Sequence, residues 1–241
     1  MDILFKKILD KSCDLRYECK FETYQKSLSD IELILKLHPY AFSEIYHMRR
    51  INNIYFDTSD LDFYQQHVDG NRDRLKTRIR WYGERSEAVK DAVIEIKIRR
   101  GLCGYKLRYN LQPFNLNELE TSESVEALLK KSEVPFECIQ LMLHLKPVIY
   151  NQYERTYYQS SCGKFRTTLD DKLNFNTVRG NIKTHTFNGD YPDCVLEVKY
   201  DVVDDKGFNY LARNLPFRLF RHSKYIRGVD AVLQEFGSTC A

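Results

Sequence analysis

The chain has 241 residues, of which 43% are hydrophobic and 29% are charged, and its formal net charge is +3. This length lies at the upper end for one all-β or α+β domain, and the hydrophobic share is that of a globular protein and excludes a disordered one. The near balance of charge excludes a polybasic protein, so an anion-binding site has to come from the arrangement of the cations.

Helices are predicted where apolar residues recur at helical spacing or where capping residues precede such a run. The predicted helices are residues 1–14, a segment from a Ser27 or Ser29 cap to Pro39, Ser122–Lys131, Glu137–Leu145 and Phe208–Leu215. The first of them is amphipathic, and we expect it to pack on the rest of the domain.

Strands are predicted where β-branched and aromatic residues alternate with polar ones between turn-like borders. The predicted strands are Leu15–Phe21, Arg49–Phe56, Arg74–Tyr82, Ala92–Arg99, Gly104–Leu111, Val148–Gln159, Lys164–Asp170 and Cys194–Tyr200. Runs of strands with helices between them predict the α+β class, with a large, mostly antiparallel sheet or barrel and the helices packed outside it.

The cysteines and the first residues of the chain indicate the cellular compartment of the protein. The seven cysteines include no C-x-x-C pair, and their odd number and irregular spacing argue against a disulfide framework and a structural zinc site. The first residues lack the apolar run of a signal peptide, and no stretch approaches the length of a membrane span. These features predict reduced thiols, a cytoplasmic location and no membrane segment in this chain.

Arg and Lys side chains occupy alternate positions on most of the predicted strands, and alternate positions share one face of a strand. The residues so aligned are Arg16, Glu18 and Lys20; Arg74, Lys76, Arg78 and Arg80; Glu95, Lys97 and Arg99; Lys106 and Arg108; and Glu197 and Lys199. Arg155 and Arg166 lie on two further strands. A solvated face of an ordinary antiparallel sheet also alternates polar and apolar residues, but it usually mixes charge signs, since like charges opposite each other destabilise a sheet.

This segregated positive charge predicts an anionic ligand. One Arg or Lys hydrogen bond to phosphate contributes about 1.5–3 kcal/mol, whereas burying a cation without a partner costs several kcal/mol. A single phosphate cannot satisfy so many cations, but a row of phosphates can. The basic faces therefore predict a site for a linear chain of phosphates.

Several short stretches, taken in order, resemble the triphosphate tunnel metalloenzyme superfamily and, within it, the VTC domain, which is the catalytic domain of the vacuolar transporter chaperone polyphosphate polymerases. These stretches are Arg16–Phe21, Asn53–Thr58, Arg74–Gly83, Ile94–Lys97, Tyr153–Arg155, Phe165–Asp170, Leu196–Tyr200 and Ser223–Tyr225. They run through nearly the whole chain. The resemblance implies one tunnel domain over residues 1–241, with the N-terminal helix over 1–14 and the tunnel core over 15–230, built as a closed antiparallel barrel of about eight strands.

The resemblance also implies an activity and its residues. The implied activity is an ATP-dependent polyphosphate polymerase, which transfers the terminal phosphoryl group of ATP onto a polyphosphate chain with Mn²⁺ or Mg²⁺. The implied catalytic residues are Arg78, Arg80, Lys97, Arg155, Arg166 and Lys224; the implied substrate-binding residues are Lys20, Lys76, Lys106, Arg108, Lys199 and Ser223; and the implied metal ligands are Glu197 and Glu95, with Glu18 as a further candidate. Hydrolytic tunnel enzymes typically begin with Glu-x-Glu-x-Lys, and Arg16 at the first of these positions favours the polymerase branch.

Three other functions stay open at this point. A tunnel triphosphatase would use water as the acceptor, and a non-catalytic module would hold polyphosphate without turnover. A single-stranded RNA-binding protein would also use Arg with Tyr and Phe to bind its ligand. Most aromatic residues here, however, lie at the strand positions that share a face with the apolar residues and not with the basic ones. We therefore expect ATP and polyphosphate as ligands and no nucleic acid, and a membrane-bound partner stays open.

Overall fold

The structure is a computed structural model, and it describes residues 16–23, 26–84, 88–100, 103–119, 121–178, 194–221 and 223–238. Within them, nine strands form one antiparallel sheet and two short strands pair separately. The strands in chain order are β1 Arg16–Glu22, β2 Ser43–Asp57, β3 Arg74–Tyr82, β4 Ala88–Val89, β5 Val93–Arg100, β6 Cys103–Asn110, β7 Phe114–Asn115, β8 Lys146–Gln159, β9 Arg166–Thr177, β10 Cys194–Asp201 and β11 Arg218–Leu219. Their order across the large sheet is β11-β1-β10-β9-β8-β2-β3-β5-β6.

All eight predicted strands are present, and two of them are longer than the sequence predicted. Strand β2 begins at Ser43 rather than Arg49, and β9 continues to Thr177 rather than ending at Asp170. The N-terminal half of β2 is exposed on both faces, so its side chains lack the alternation by which a strand is recognised.

Six α-helices lie in the described residues: α1 Leu28–Leu37, α2 Asp62–Val68, α3 Ser122–Lys131, α4 Phe136–Leu143, α5 Asp205–Arg213 and α6 Lys224–Ser238. The predictions for α1, α3, α4 and α5 are confirmed, although α5 begins and ends earlier than expected. A capping box starts α1, because the Ser27 Oγ accepts from the Asp30 N–H and the Asp30 carboxylate accepts from the Ser27 N–H. The helix predicted over residues 1–14 lies outside the described residues.

Two helices were not predicted. Helix α2 begins after Leu61, which has a left-handed φ of 59° and makes no side-chain cap. Its cap comes from Asp57 instead, whose carboxylate accepts hydrogen bonds from the N–H groups of Phe63 and Tyr64, both at 2.9 Å. Helix α6 contains Gly228, which is unfavourable in a helix interior but allows close packing on the sheet.

Helices α1, α3, α4 and α5 pack on the face of the strands that carries the apolar residues, whereas α6 packs on the opposite, basic face. On β3, for example, Leu75, Ile79 and Trp81 are buried in one core with Ile94 and Ile96 of β5. Helices α3 and α4 cover this core, α1 and α5 cover a second core, and α6 packs on a third around Tyr55, Ile149 and Phe175. No helix in the described part of the chain is long and apolar enough to cross a membrane.

The closed barrel expected from the sequence is only partly seen. The large antiparallel sheet is present, but its end strands β11 and β6 are not joined by a ladder in the described residues. Strand β11 has only two residues, so it offers little edge to which another strand could pair. The observed architecture is therefore a nine-stranded antiparallel sheet with α1, α3, α4 and α5 on its apolar face. The expectation that the helices pack outside is wrong for α6, because it packs on Tyr55, which lies opposite Arg78, and on Ile149, which shares the strand face of Arg155.

Candidate functional site

Glu95 is the centre of a first cluster on the basic face. It lies on β5, in register with Arg78 of β3 on one side and Arg108 of β6 on the other. Arg78 donates two hydrogen bonds to one carboxylate oxygen, at 2.8 and 2.6 Å, while Lys106 and Arg108 contact the other at 2.7 and 3.2 Å. Burial raises the pKa of Glu95, but Arg78, Arg80 and Lys106 together hold it far below its usual value. Glu95 is thus a buried anion that gathers cations from the two strands beside its own, β3 and β6.

A row of lysines lies one step further along the same strands. Lys76, Lys97 and Lys106 are opposite one another on β3, β5 and β6, and directly opposed side chains lie about 5 Å apart. The Lys76 ammonium donates to the Ser223 hydroxyl at 2.8 Å. Burial and then the charges of Lys20 and Lys97 lower the pKa of Lys76 well below its usual value. An anion bound here would relieve this repulsion.

Asp170 is the centre of a second cluster and is fully buried. Arg155, its register partner on β8, contacts it through Nε and through Nη2, the latter at 2.7 Å, and Lys224 contacts the same carboxylate from the start of α6. Burial raises the pKa of Asp170, but Arg155 and Lys224 lower it to about 2 overall. The arginine and the lysine are themselves buried, so each depends on this carboxylate for its charge balance.

Glu197 is the centre of a third cluster, at the other side of the face. Lys199 lies 2.8 Å and Lys20 3.5 Å from its carboxylate oxygens. The same two lysines lie 3.9 and 3.2 Å from Glu18 of β1. Burial raises the pKa of Glu197, but Lys20 and Lys199 hold it well below its usual value. Two ionised carboxylates therefore share two lysines here.

One contact shows that the sheet is strongly curved. Lys97 of β5 lies 3.8 Å from Glu18 of β1, although these strands are next to opposite ends of the sheet. The basic face is therefore concave enough for its two sides to meet. Its outer cations are solvent-accessible, since the Lys97 and Arg108 side chains are 58% and 53% exposed. Arg166 is also exposed and lies at the end of β9, opposite Lys199.

Some residues of the site were not identified as such from the sequence. The Arg80 Nε donates to Asn53 at 2.8 Å and its Nη2 donates to the Tyr153 hydroxyl at 3.1 Å. Tyr153 lies on the same face of β8 as Arg155, because the two are at alternate positions, and this signal could have identified it. Asp170 lies on the same face of β9 as Arg166 for the same reason. Asn53, which lies opposite Arg80, carries no such pattern in its own strand.

The fit of a divalent cation can be judged from these carboxylates. Magnesium and manganese prefer oxygen ligands and are usually held by one or two carboxylates together with substrate phosphates. Glu197 and Glu18 match this requirement, because both are ionised and close to the same ammonium groups. Glu95 lies in a separate cluster and contacts Arg78, Lys106 and Arg108 instead of these two lysines. No group of three or more His, Cys, Asp or Glu placed for a metal occurs in the described residues.

Comparisons with known proteins place the chain in a family. A family model described as the VTC domain matches residues 12–233. Over 120 residues the chain is 27% identical to the vacuolar transporter chaperone complex subunit 2 of Schizosaccharomyces pombe, a match that covers 44% of this chain and 16% of that protein. The matched segment thus spans less than a fifth of that relative's length.

Two solved structures share the fold at low sequence identity. One is a Vibrio parahaemolyticus protein described as a candidate adenylate cyclase, with a TM-score of 0.50 and 12% identity over 88% of this chain and 96% of that one. The other is a Hippeastrum protein described as a candidate adenylyl cyclase with a dominant triphosphatase activity, with a TM-score of 0.51 and 16% identity over 88% and 94% of the two chains. At such identities the likeness concerns the fold alone.

Proposed function

The chain belongs to the VTC domain family, and from this premise we propose that it is a polyphosphate polymerase, which transfers the terminal phosphoryl group of ATP onto a growing phosphate chain. The observation that carries the proposal is the continuous basic face, on which Glu95, Asp170 and Glu197 each gather several cations. The cations on this face outnumber the carboxylates. A linear polyanion is the ligand that would balance the remaining charge along the whole row.

In this proposal the concave sheet encloses the phosphate chain as a tunnel. The contact between Lys97 and Glu18 supports enclosure, since it joins side chains from both ends of the sheet. Enclosure would exclude water, and each ionic contact with phosphate would be stronger for it.

The cations divide into two groups by their place on the face. We assign the reacting phosphoryl groups to Arg78, Arg80, Lys97, Arg155, Arg166 and Lys224, and the rest of the chain to Lys20, Lys76, Lys106, Arg108, Lys199 and Ser223. Phosphoryl transfer depends mainly on positioning and on neutralising charge on the transferring group. Arg80 is suited to this role because Asn53 and Tyr153 fix its guanidinium before any substrate binds.

The bond between the β- and γ-phosphoryl groups of ATP breaks, a terminal oxygen of the phosphate chain bonds to the transferred phosphorus, and ADP leaves. The acceptor oxygen is already anionic, so the step needs no strong general base. The cations instead hold the two anions close together and in line.

A divalent cation, Mn²⁺ or Mg²⁺, would be held by Glu197 and Glu18, and Glu95 stays a further candidate from the sequence. When bound, the cation neutralises charge on the phosphate oxygens. Lys20 and Lys199 keep both carboxylates ionised in its absence, and they would turn to phosphate once it binds.

We assign residues 1–241 to one domain with its tunnel core over 15–230, which works in the cytoplasm on ATP and polyphosphate. Because the Schizosaccharomyces pombe relative is named as a subunit of a complex, we also propose that this chain assembles with partner proteins, a membrane-bound one among them.

A tunnel triphosphatase is the second candidate. The Hippeastrum protein of the same fold is described as having a dominant triphosphatase activity, and hydrolysis would need only water in place of the chain end. A module that holds polyphosphate without turnover is the third candidate.

The test is to incubate the protein with ATP and Mn²⁺ and to resolve the products on a polyphosphate gel. We expect a ladder of phosphate chains, which Glu197→Gln and Arg80→Ala abolish and which Arg213→Ala, an exposed change on α5, leaves unaltered. ADP and free phosphate alone would indicate the triphosphatase. Binding without any product would indicate the non-catalytic module.

A further inference from the structure

The exposed half of β2 carries an aromatic cluster that the phosphate site does not use. Arg49 lies at its centre, with its guanidinium carbon 3.5 Å from the centroid of the Tyr46 ring, 5.4 Å from that of Tyr82 and 5.7 Å from that of Tyr157. Tyr46 and Tyr82 are 44% and 41% exposed. Two exposed rings, the half-buried ring of Tyr157 and the half-buried guanidinium of Arg49 therefore lie together at one place.

A β-bulge brings Tyr46 to this place. Tyr46 pairs with Tyr157, and Arg49 pairs with Arg155, so three steps along β2 oppose two steps along β8. An extra residue of this kind turns the side chains before it to the other face of the strand. Tyr46 consequently lies on the same face as Arg49, whereas strict alternation would place the two on opposite faces.

The cluster adjoins the basic face. Arg49 is the register partner of Arg155, one of the arginines assigned to the reacting phosphates, and side chains so opposed lie about 5 Å apart. Tyr157 lies on the same face of β8 as Arg155. A ligand with phosphates along the basic face and an aromatic ring at one end would fill both places.

We propose that the cluster formed by Tyr46, Arg49, Tyr82 and Tyr157 is the subsite for the base of the donor nucleotide. The purine ring stacks on the tyrosine rings and the Arg49 guanidinium, while the triphosphate extends towards Arg155 and Arg80. Stacking of this kind suits any base, because every base has a π face. The inference rests on the proposed use of a nucleoside triphosphate as donor.

A single nucleotide fits this arrangement better than a nucleic-acid strand does. A strand presents a base with every phosphate and needs a stacking platform along its whole path. The other tyrosines of the basic face, Tyr55 and Tyr153, are buried and accept hydrogen bonds from Arg78 and Arg80, so they cannot stack with a ligand. Accessible rings lie at one end of the phosphate row, as a ligand with one base requires.

Calorimetric titration with ATP and with inorganic tripolyphosphate tests the proposal, since only ATP carries a base. In Tyr46→Leu and Tyr157→Leu we expect the Kd for ATP to rise about tenfold, the loss typical of one stacking partner, and the Kd for tripolyphosphate to change less than twofold. The matched control is Tyr210→Leu on α5, where the native ring is 49% exposed, and it should change neither value.

Equal effects on the two ligands, or no effect on ATP, would overturn the base subsite. Competition by poly(A) RNA as strong per nucleotide as by ATP would overturn it in favour of a strand-binding surface. Failure of the polymerase proposal would look different: ATP would bind with the same dependence on Tyr46, but no phosphate chain would grow.

Discussion

Lys224, the first residue of α6, contacts the carboxylate of Asp170 at the middle of β9. This contact ties the C-terminal helix to the centre of the basic face. The next turns of α6 place Tyr225 and Val229 in an apolar core with Tyr55 and Phe175. The position of one cation of the site therefore depends on how the whole helix packs.

Asp170→Asn should destabilise the fold strongly. The change leaves Arg155 and Lys224 buried without their counter-charge, and breaking a buried pair in this way costs about 3–5 kcal/mol. Urea denaturation followed by circular dichroism measures the loss. Asp60→Asn, an exposed loop change, is the control and should stay within about 0.5 kcal/mol of wild type. A loss below 1 kcal/mol for Asp170→Asn would contradict the role given to this carboxylate.

The contribution of Asp170 should depend on pH in a defined direction. Its pKa is lowered to about 2 in the folded protein, below the unfolded value of about 3.9. The folded state thus binds fewer protons, so the stabilisation is complete above about pH 4 and is lost as the pH falls towards 2. The difference in unfolding free energy between wild type and Asp170→Asn should narrow by about 2 kcal/mol over this window. A difference in unfolding free energy that stays constant from pH 5 to pH 2 would refute the lowered pKa of Asp170 in the folded protein.

Gly228→Ala should displace α6 despite the better helix propensity of alanine. An added Cβ would lie 2.8 Å from the Ile149 Cγ2 and 2.9 Å from the Phe175 Cδ1, and overpacking of this kind costs about 1–3 kcal/mol. Since Lys224 moves with the helix, tripolyphosphate affinity should fall as well. Gly104→Ala on β6 has open space around it and serves as the control. Wild-type stability and affinity in Gly228→Ala would show that the helix packs less tightly than described.

Arg80→Lys separates charge from orientation. Lysine keeps the positive charge but offers one nitrogen in place of the two separate donors, Nε and Nη2, that Asn53 and Tyr153 hold in a fixed orientation. We expect the rate of ADP formation to fall about 100-fold, as for the loss of one oriented donor in a transition state, with little change in the Kd for tripolyphosphate. An unchanged rate would mean that Arg80 acts through its charge alone, and equal losses of rate and affinity would mean that its orientation serves binding and not transfer.

The basic face could be predicted from the sequence because strand alternation alone assigns residues to faces. Lys76, Arg78 and Arg80 on β3 are the clearest case, and the structure places them on one face as expected. The resemblance to the VTC domain is also confirmed over most of the chain. Features with strict local periodicity could therefore be predicted from the sequence.

What the sequence missed depends on contacts between distant segments. The cap of α2 comes from Asp57, which precedes the helix by several residues, and Tyr46 reaches its face through a bulge that no local pattern encodes. The pairing of Arg155 and Lys224 with Asp170 joins β8, α6 and β9. Closure of the sheet depends on its two ends in the same way, and alternation within a strand carries no information about it.

The most direct test of the central claim is the balance between ADP and free phosphate when the protein consumes ATP with Mn²⁺. A polymerase retains each transferred phosphoryl group in the chain, so ADP should accumulate with far less than one equivalent of free phosphate, and exopolyphosphatase treatment should then release the difference. One equivalent of free phosphate per ADP, with nothing further released, would contradict the claim and indicate a triphosphatase.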